Sequence, residues 1–110
     1  MTNSRAKGAA GERELAGVLR EMGHLNCRRG QQFSGSPDSP DVYGIVGVHP
    51  EVKRVQSLNL GAAMDQAVAD CGENVPAIFH RRNHKPWMVT VRLDDLERFI
   101  GCWVKSKENT

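Results

Sequence analysis

Asp41, Glu51 and Lys53 lie in the middle of the chain, and carboxylates beside an ammonium group can bind and use a divalent cation. Residues two apart on a strand point to the same face, so Glu51 and Lys53 are expected to project together. If the strands that carry Asp41 and Glu51 are neighbours, two carboxylates lie near one ammonium group. This arrangement predicts a Mg²⁺ site, in which Mn²⁺ is expected to substitute.

Such a cation suits the hydrolysis of a phosphodiester. It offsets negative charge on the pentacoordinate transition state and lowers the pKa of an attacking water. Lys53 can polarise that water or stabilise the developing charge, which a pair of carboxylates alone cannot do. The alternative is a surface salt bridge on a sheet, which is the usual meaning of an isolated Glu-x-Lys triplet.

Glu12 adds a third acid from the first predicted helix. It precedes Leu15, Ala16 and Leu19 by three, four and seven residues, so it borders the stripe that faces the core. Glu14 projects on the opposite flank of that stripe. We interpret Glu14 as a first-turn residue that the helix dipole favours, and Glu12 as the candidate site residue.

The first half of the chain predicts the elements that position these acids. Apolar residues at helical spacing predict a helix over residues 8–22, and residues 25–29 can run as a short strand. Residues 31–40 are rich in Gly, Ser and Pro and predict an exposed loop. Two strands are then expected, over residues 41–48 and 51–55.

His49 and Pro50 separate these two predicted strands and indicate a tight connection between them. Proline has no N–H to donate to a neighbouring strand. Its place directly before Glu51 therefore predicts an edge position or a bulge in the sheet.

The second half begins with a helix that follows a plausible N-cap, Asn59, and ends at Gly72. Residues 75–80 and 87–92 predict strands, and residues 93–100 have a short helical pattern. The order α-β-β-β-α-β-β-α predicts an α/β (α+β) fold, with a mixed central sheet flanked by helices.

The length of 110 residues predicts a single domain spanning residues 1–110, with residues 1–6 and 105–110 flexible. The chain contains neither a membrane-spanning apolar run nor a secretory signal, so we expect a cytoplasmic protein with no membrane partner. Three cysteines without a CxxC spacing predict free thiols.

Basic residues collect at a few positions although the net charge is only +2. Taken singly, each is an ordinary solvated residue; together they predict contacts with DNA phosphates. His80 and His84 could instead bind a metal or act as a base, but their basic surroundings favour phosphate contact. The predicted DNA-binding residues are Arg28, Arg29, Arg54, Arg81, Arg82 and Lys85.

Three segments of this sequence carry a resemblance to a known family. The chain resembles the archaeal-type Holliday junction resolvases of the PD-(D/E)xK superfamily from about Lys7 to Arg54. The segments that carry the resemblance are KGAAGERELAGVLREMGH, RRGQQFSGSPDSPDV and PEVKRV. The resemblance implies a restriction endonuclease-like fold. It also implies that Glu12, Asp41 and Glu51 are metal ligands and that Lys53 is the catalytic lysine.

The same resemblance implies further roles. Ser34, Gly35 and Ser36 match a loop that is expected at the scissile phosphate, and Gln66 is similar to an auxiliary glutamine of related nucleases. It also implies a homodimer. Asp38 follows a proline as Asp41 does and could be the ligand instead, but Asp41 precedes a β-rich run and is our choice.

The resulting expectation is a Mg²⁺-dependent endonuclease that cuts branched DNA, such as four-way junctions, in DNA recombination and repair. A related nuclease with another DNA target, such as a restriction or phage replication nuclease, is the second hypothesis. A DNA-binding module of the same fold that no longer cuts is the third. The small size would also suit a virus or mobile element.

Overall fold

The computed structural model describes residues 4–30 and 40–108, and within these ranges helices and strands alternate as predicted. The order α-β-β-β-α-β-β-α is confirmed, with one short 3₁₀ helix inserted before the last helix. The elements are α1 (Ser4–Glu21), β1 (Arg28–Arg29), β2 (Val42–Tyr43), β3 (Val48–Arg54), α2 (Leu60–Asp70), β4 (Val75–Arg81), β5 (Met88–Thr90), the 3₁₀ helix (Leu93–Asp95) and α3 (Leu96–Glu108).

The main sheet has the order β3-β4-β5 and is mixed, as expected for an α/β (α+β) fold. Strands β3 and β4 are parallel, with Glu51 opposite Ile78 and Lys53 opposite His80, and α2 forms the crossover between them. Strand β5 pairs antiparallel with β4. Strand β3 is at the edge of this sheet, which confirms the edge position predicted from Pro50.

Two apolar clusters lie on opposite faces of this sheet, because successive side chains of β4 point in opposite directions. Phe79 joins a cluster that contains Leu15 of α1 and Phe99 of α3. Ile78 joins the other cluster, with Ala67 of α2. The sheet is therefore packed between α1 and α3 on one face and α2 on the other.

The predicted strand over residues 41–48 is wrong. Only Val42–Tyr43 is a strand before the chain turns, and Gly44 and Gly47 have positive φ angles of 127° and 90°. Glycine adopts such angles without a steric penalty, so these two residues reverse the chain before β3. His49 and Pro50, predicted as a connection, lie inside β3 instead.

The ends of several other elements also differ from the prediction. The predicted strand over residues 25–29 is reduced to Arg28–Arg29, because the Cys27 N–H donates to the His24 carbonyl in a turn. Helix α1 already begins at Ser4 and α3 continues to Glu108, where we had expected flexible ends.

Two predictions, the cap of α2 and the free cysteines, are confirmed. Asn59 caps α2, and its Oδ1 accepts a hydrogen bond from the Ala62 N–H at 3.0 Å. All three cysteines are free thiols. In the described ranges, no helix combines the length and apolar character needed to cross a membrane.

Candidate active site

Carboxylates from three different elements come together at the edge of the sheet. Glu12 is carried by α1, Asp41 directly precedes β2, and Glu51 lies in β3. Glu12 and Glu51 are only 5% and 8% exposed. Asp41 shares a hydrogen bond with Glu51 and feels the charges of both glutamates. The predicted convergence of acidic groups on one place is therefore present in the structure.

Asp41 is joined to β3 on both sides of Glu51. Its backbone N–H donates to the Pro50 carbonyl at 3.1 Å, and its Oδ2 accepts a hydrogen bond from the Val52 N–H at 2.8 Å. These two bonds hold the Asp41 carboxylate against the strand although β2 and β3 form no ladder with each other. Asp41 and Glu51 are consequently neighbours.

Gly11 lets α1 bring Glu12 close to β3. A Cβ atom at this position would lie 2.8 Å from the Arg54 Cβ, which is closer than real carbon atoms approach. Any larger residue would thus push α1 away from the strand. The glycine directly before Glu12 sets the distance between the helix-borne acid and the acids of the sheet edge.

The acids of this cluster disfavour one another's charge. Burial, followed by the Glu51 charge, raises the pKa of Asp41 to about 7, although the hydrogen bond from the Val52 N–H acts in the opposite direction. Burial also raises the pKa of Glu12, with the Arg29 hydrogen bond and charge opposing it and the Glu51 charge adding to it. Such a group of carboxylates is stabilised by a proton or by a cation.

His49 is a member of the site that the sequence interpretation missed. It is 2% exposed, and its Nε2 lies 3.0 Å from Glu51 Oε1. The missed signal is the spacing: His49 stands two residues before Glu51 on one strand, so both side chains point to the same face. The sequence pattern predicts a connection at His49, where this alternation does not apply.

Lys53 follows Glu51 by two residues on β3 and lies on the same face, as predicted. Its side chain makes no ion pair with any residue in the ranges 4–30 and 40–108. Lys53 therefore lies on the strand face that carries Glu51, without an ion-pair partner among the described residues.

Gln66 lies outside the cluster, and four further predicted residues are not among those that the structure describes. The residues outside the described ranges are Ser34, Gly35, Ser36 and the alternative ligand Asp38. Of the two candidate aspartates, Asp41 is thus the one that the structure places beside Glu51. Gln66 is exposed on α2, and its amide donates to Asp70 Oδ2 at 2.8 Å. The amide of this glutamine thus follows the surface of its own helix.

The predicted DNA-binding residues of the first half differ in their surroundings. Arg29 forms an ion pair with Glu12, its Nε lying 2.9 Å from Oε1. Arg28 is exposed, and its guanidinium lies 5.9 Å from the centre of the Tyr43 ring. Arg29 is thus a partner of the carboxylate cluster, whereas Arg28 faces solvent.

Glu14 has a role that we did not expect. It lies beyond the first turn of α1, contrary to our interpretation, and accepts hydrogen bonds from Arg81, from Trp87 and, at 3.5 Å, from Arg54. Burial would raise its pKa, but Arg81 and Arg54 outweigh that effect and the pKa of Glu14 is lowered. Glu14 therefore fixes two of the predicted DNA-binding arginines.

Arg82 and Lys85, in the turn after β4, are exposed. His80 is partly buried, its Nε2 lies 2.9 Å from Thr90 Oγ1, and burial lowers its pKa. Arg82 and Lys85 therefore supply exposed positive charge at this turn.

The carboxylates are close, but they are not arranged as a finished metal cage. In the parts of the chain that the structure describes, no group of three or more His, Cys, Asp or Glu side chains has the arrangement that holds a metal ion. One oxygen of each acid already has a protein partner: Arg29 for Glu12, Val52 for Asp41 and His49 for Glu51.

Comparisons with known protein families, with curated proteins and with solved structures gave no match, and they assign the chain to no family.

Proposed function

We propose that this protein is a Mg²⁺-dependent endonuclease that hydrolyses phosphodiester bonds in branched DNA, as the archaeal-type Holliday junction resolvases do. The observation that supports the proposal is the meeting of Glu12, Asp41 and Glu51 from three elements, with Lys53 on the same strand face as Glu51. Hard carboxylate oxygens are the ligands that Mg²⁺ prefers, and Mn²⁺ accepts the same ligands.

Each residue has a distinct part in this proposal. The three acids would hold the ion, which would supply charge neutralisation at the phosphate and activation of a water. Asp41 would serve as a ligand in its carboxylate form, which a nearby positive charge favours. Lys53 stabilises the negative charge that develops on the phosphate oxygens.

The exposed cations supply the binding surface for the DNA backbone. Arg28, Arg82 and Lys85 are exposed and free to meet phosphates. Arg54 and Arg81 are held by Glu14, so their guanidiniums are oriented before DNA arrives. Such contacts position a nucleic acid without reading its sequence.

A homodimer is part of the proposal. One chain contributes one set of the three carboxylates, and a four-way junction is resolved by cutting two opposing strands. The longest dimension of one protomer is 42 Å, which corresponds to about 12 base pairs of a single arm. Two copies would present two such sets of carboxylates, one for each strand that is cut.

Cleavage assays test the proposal directly. The protein is incubated with a labelled four-way junction, a linear duplex and single strands, each with Mg²⁺ or EDTA. Symmetric Mg²⁺-dependent nicks in the junction alone are the expected result. Cutting of every substrate would indicate a nuclease with another DNA target, and tight binding without cutting would indicate a module that only binds DNA.

Variants assign the activity to the carboxylate cluster. Asp41→Asn and Lys53→Ala should abolish cleavage while DNA binding in EDTA persists. Asp65→Asn, on the exposed surface of α2, is the matched control and should cut at the wild-type rate. Full activity of Asp41→Asn would overturn the assignment of the metal ligands.

A further inference from the structure

A groove of about 450 Å³ lies at the carboxyl ends of the parallel strands β3 and β4 and beside the start of α2. Its walls come from the segment after β3, from the end of β4 and from the turn that leads to β5. The crevice outside the carboxyl ends of parallel strands is a frequent ligand position in α/β proteins.

The lining of the groove combines apolar side chains with cations. Val55, Leu60 and Met88 supply apolar surface, whereas Arg82 and Lys85 supply positive charge. None of the described residues that line the groove is acidic. A ligand with an apolar or aromatic part and a negatively charged part would match both kinds of surface.

Hydrogen bonds hold the walls of the groove together. Gln56 Oε1 accepts from the Asn83 N–H, which joins the segment after β3 to the turn after β4. The Arg81 guanidinium donates to the Lys85 carbonyl at 2.6 Å and to the Glu14 carboxylate. The Gln56–Asn83 bond joins two separate walls, the Arg81–Lys85 bond lies within the turn after β4, and the Glu14 contact ties Arg81 to α1.

The groove adjoins the candidate active site along β3. Val55 follows Lys53 by two residues, a distance of roughly 7 Å in an extended chain. His80, which also lines the groove, is the register partner of Lys53. A DNA strand whose scissile phosphate lies at Lys53 would consequently place a neighbouring nucleotide at the groove.

We propose that the groove binds an unpaired nucleotide of the substrate, next to the phosphate that is cut. The base would cover Val55 and Met88, and the phosphate would meet Arg82 and Lys85. Bases in an intact duplex are stacked and paired and cannot enter, so the groove favours DNA with an unpaired nucleotide at a branch. This inference rests on the proposed nuclease function and specifies its substrate.

Binding experiments in EDTA test the groove without any cleavage. The probe is a branched duplex in which 2-aminopurine is the unpaired base, at successive positions on the strand, and a fully paired duplex is the reference. Wild-type protein should increase the 2-aminopurine fluorescence at one position and, through burial of apolar surface, bind the probe roughly tenfold more tightly than the reference.

Substitutions in the groove should remove this preference. Met88→Asn changes a side chain that is 56% exposed, and Val55→Asn changes one that is 39% exposed, so neither opens the core. Both variants should bind the probe and the paired duplex equally, without the fluorescence increase. Val46→Asn is the control and should keep the preference, since Val46 is 90% exposed and precedes β3 at the end away from the groove.

The possible results separate this inference from the proposed function. Equal wild-type affinity for the probe and the paired duplex, or a full preference in Met88→Asn and Val55→Asn, would overturn the nucleotide groove. Preferential binding by wild type without Mg²⁺-dependent cutting of any DNA would overturn the nuclease proposal alone. Cutting of DNA without the preference would leave the nuclease and remove the groove.

Discussion

Asp41 is a residue whose position in the site works against the stability of the metal-free protein. Its pKa rises from 3.8 in an ordinary setting to about 7 after folding, first through burial and then through the Glu51 charge. Between these two pKa values the folded protein retains a proton that the unfolded chain has released. The contribution of Asp41 to stability therefore decreases as the pH rises from 3.8 toward 7.

The first prediction concerns Asp41→Asn in metal-free buffer. Asparagine resembles the protonated acid: its oxygen can accept from the Val52 N–H and its amide can donate to Glu51. The variant should melt at least about 4 °C above wild type at pH 8, with a much smaller difference at pH 4. Thermal unfolding followed by circular dichroism measures both. A Tm difference that does not depend on pH would contradict the raised pKa.

His49 makes a contact that can be tested atom by atom. Its Nε2, at 3.0 Å from Glu51 Oε1, holds one oxygen of that carboxylate and orients the other. Hydrogen-bond partners of metal-ligating groups affect metal affinity by about 10- to 100-fold. His49 is buried, so the substituting side chain must fit a closed space.

The second prediction compares His49→Gln with His49→Asn. The Gln amide nitrogen can take the position of Nε2, whereas the shorter Asn amide reaches only the position of Nδ1. Mn²⁺ binding measured by calorimetry should thus be near the wild-type affinity in His49→Gln and about tenfold weaker in His49→Asn. Equal Mn²⁺ affinities in the two variants, both folded, would exclude a positioning role for Nε2.

At the scale of elements, the packing of α1 on β3 determines where Glu12 lies. Gly11 permits the contact with Arg54, whereas Gly8 on the same helix has open space around its Cα. The two glycines therefore form a matched pair, since the same substitution meets a neighbour at one position and none at the other.

The third prediction is that Gly11→Ala destabilises the fold and Gly8→Ala does not. The new methyl group at Gly11 must displace the helix or the strand, at an expected loss of about 1–3 kcal/mol, together with weaker Mn²⁺ binding. Gly8→Ala should raise stability by about 0.5–1 kcal/mol through helix propensity. Urea denaturation gives both values. Equal effects of the two substitutions would show that the close approach of α1 is unimportant.

Periodicity in the sequence was sufficient to predict most helices and the longer strands. Helix α2 and strand β4 are marked by local signals, such as the Asn59 cap and the apolar run from Val75. The turn at Gly44–Gly47 was missed because isolated glycines within a β-branched run do not reveal their φ angles. This turn shifts the start of β3 toward the N-terminus and carries His49 into the strand.

The acidic members of the candidate site were predictable, but their partners were not. Glu12, Asp41 and Glu51 stood out by residue type and position, and the fold brings them together. The hydrogen bond from His49 and the ion pair from Arg29 depend on side-chain packing between elements that are distant in sequence. Local patterns contain no information on such contacts.

At the scale of the whole molecule, charge is distributed unevenly. The net charge is only +2, so the proposed binding of DNA would depend on local groups such as the exposed Arg82 and Lys85. Each phosphate contact releases counterions. It steepens the slope of log affinity against log salt concentration by about 0.9.

The fourth prediction uses this dependence. Replacing both Arg82 and Lys85 by Gln should reduce the salt slope for junction DNA by about 2 and weaken binding at low salt. Replacing Arg98 and Lys105 of α3 by Gln removes the same charge elsewhere and should leave the slope unchanged. Fluorescence anisotropy over a series of salt concentrations measures both. An equal decrease in both double variants would indicate attraction by net charge alone.

The mutual repulsion of the buried acids also affects how this protein would respond to selection. Substitutions that neutralise Asp41 or Glu51 relieve the repulsion. Selection for heat resistance would therefore favour neutral residues at these positions, whereas selection for the proposed catalysis would favour acidic ones. A library screened only for survival of heating, without a divalent ion, would accumulate sequences that lack the proposed metal ligands. Including Mn²⁺ in the screen should reverse that trend, because an ion bound by the charged acids would stabilise the folded protein.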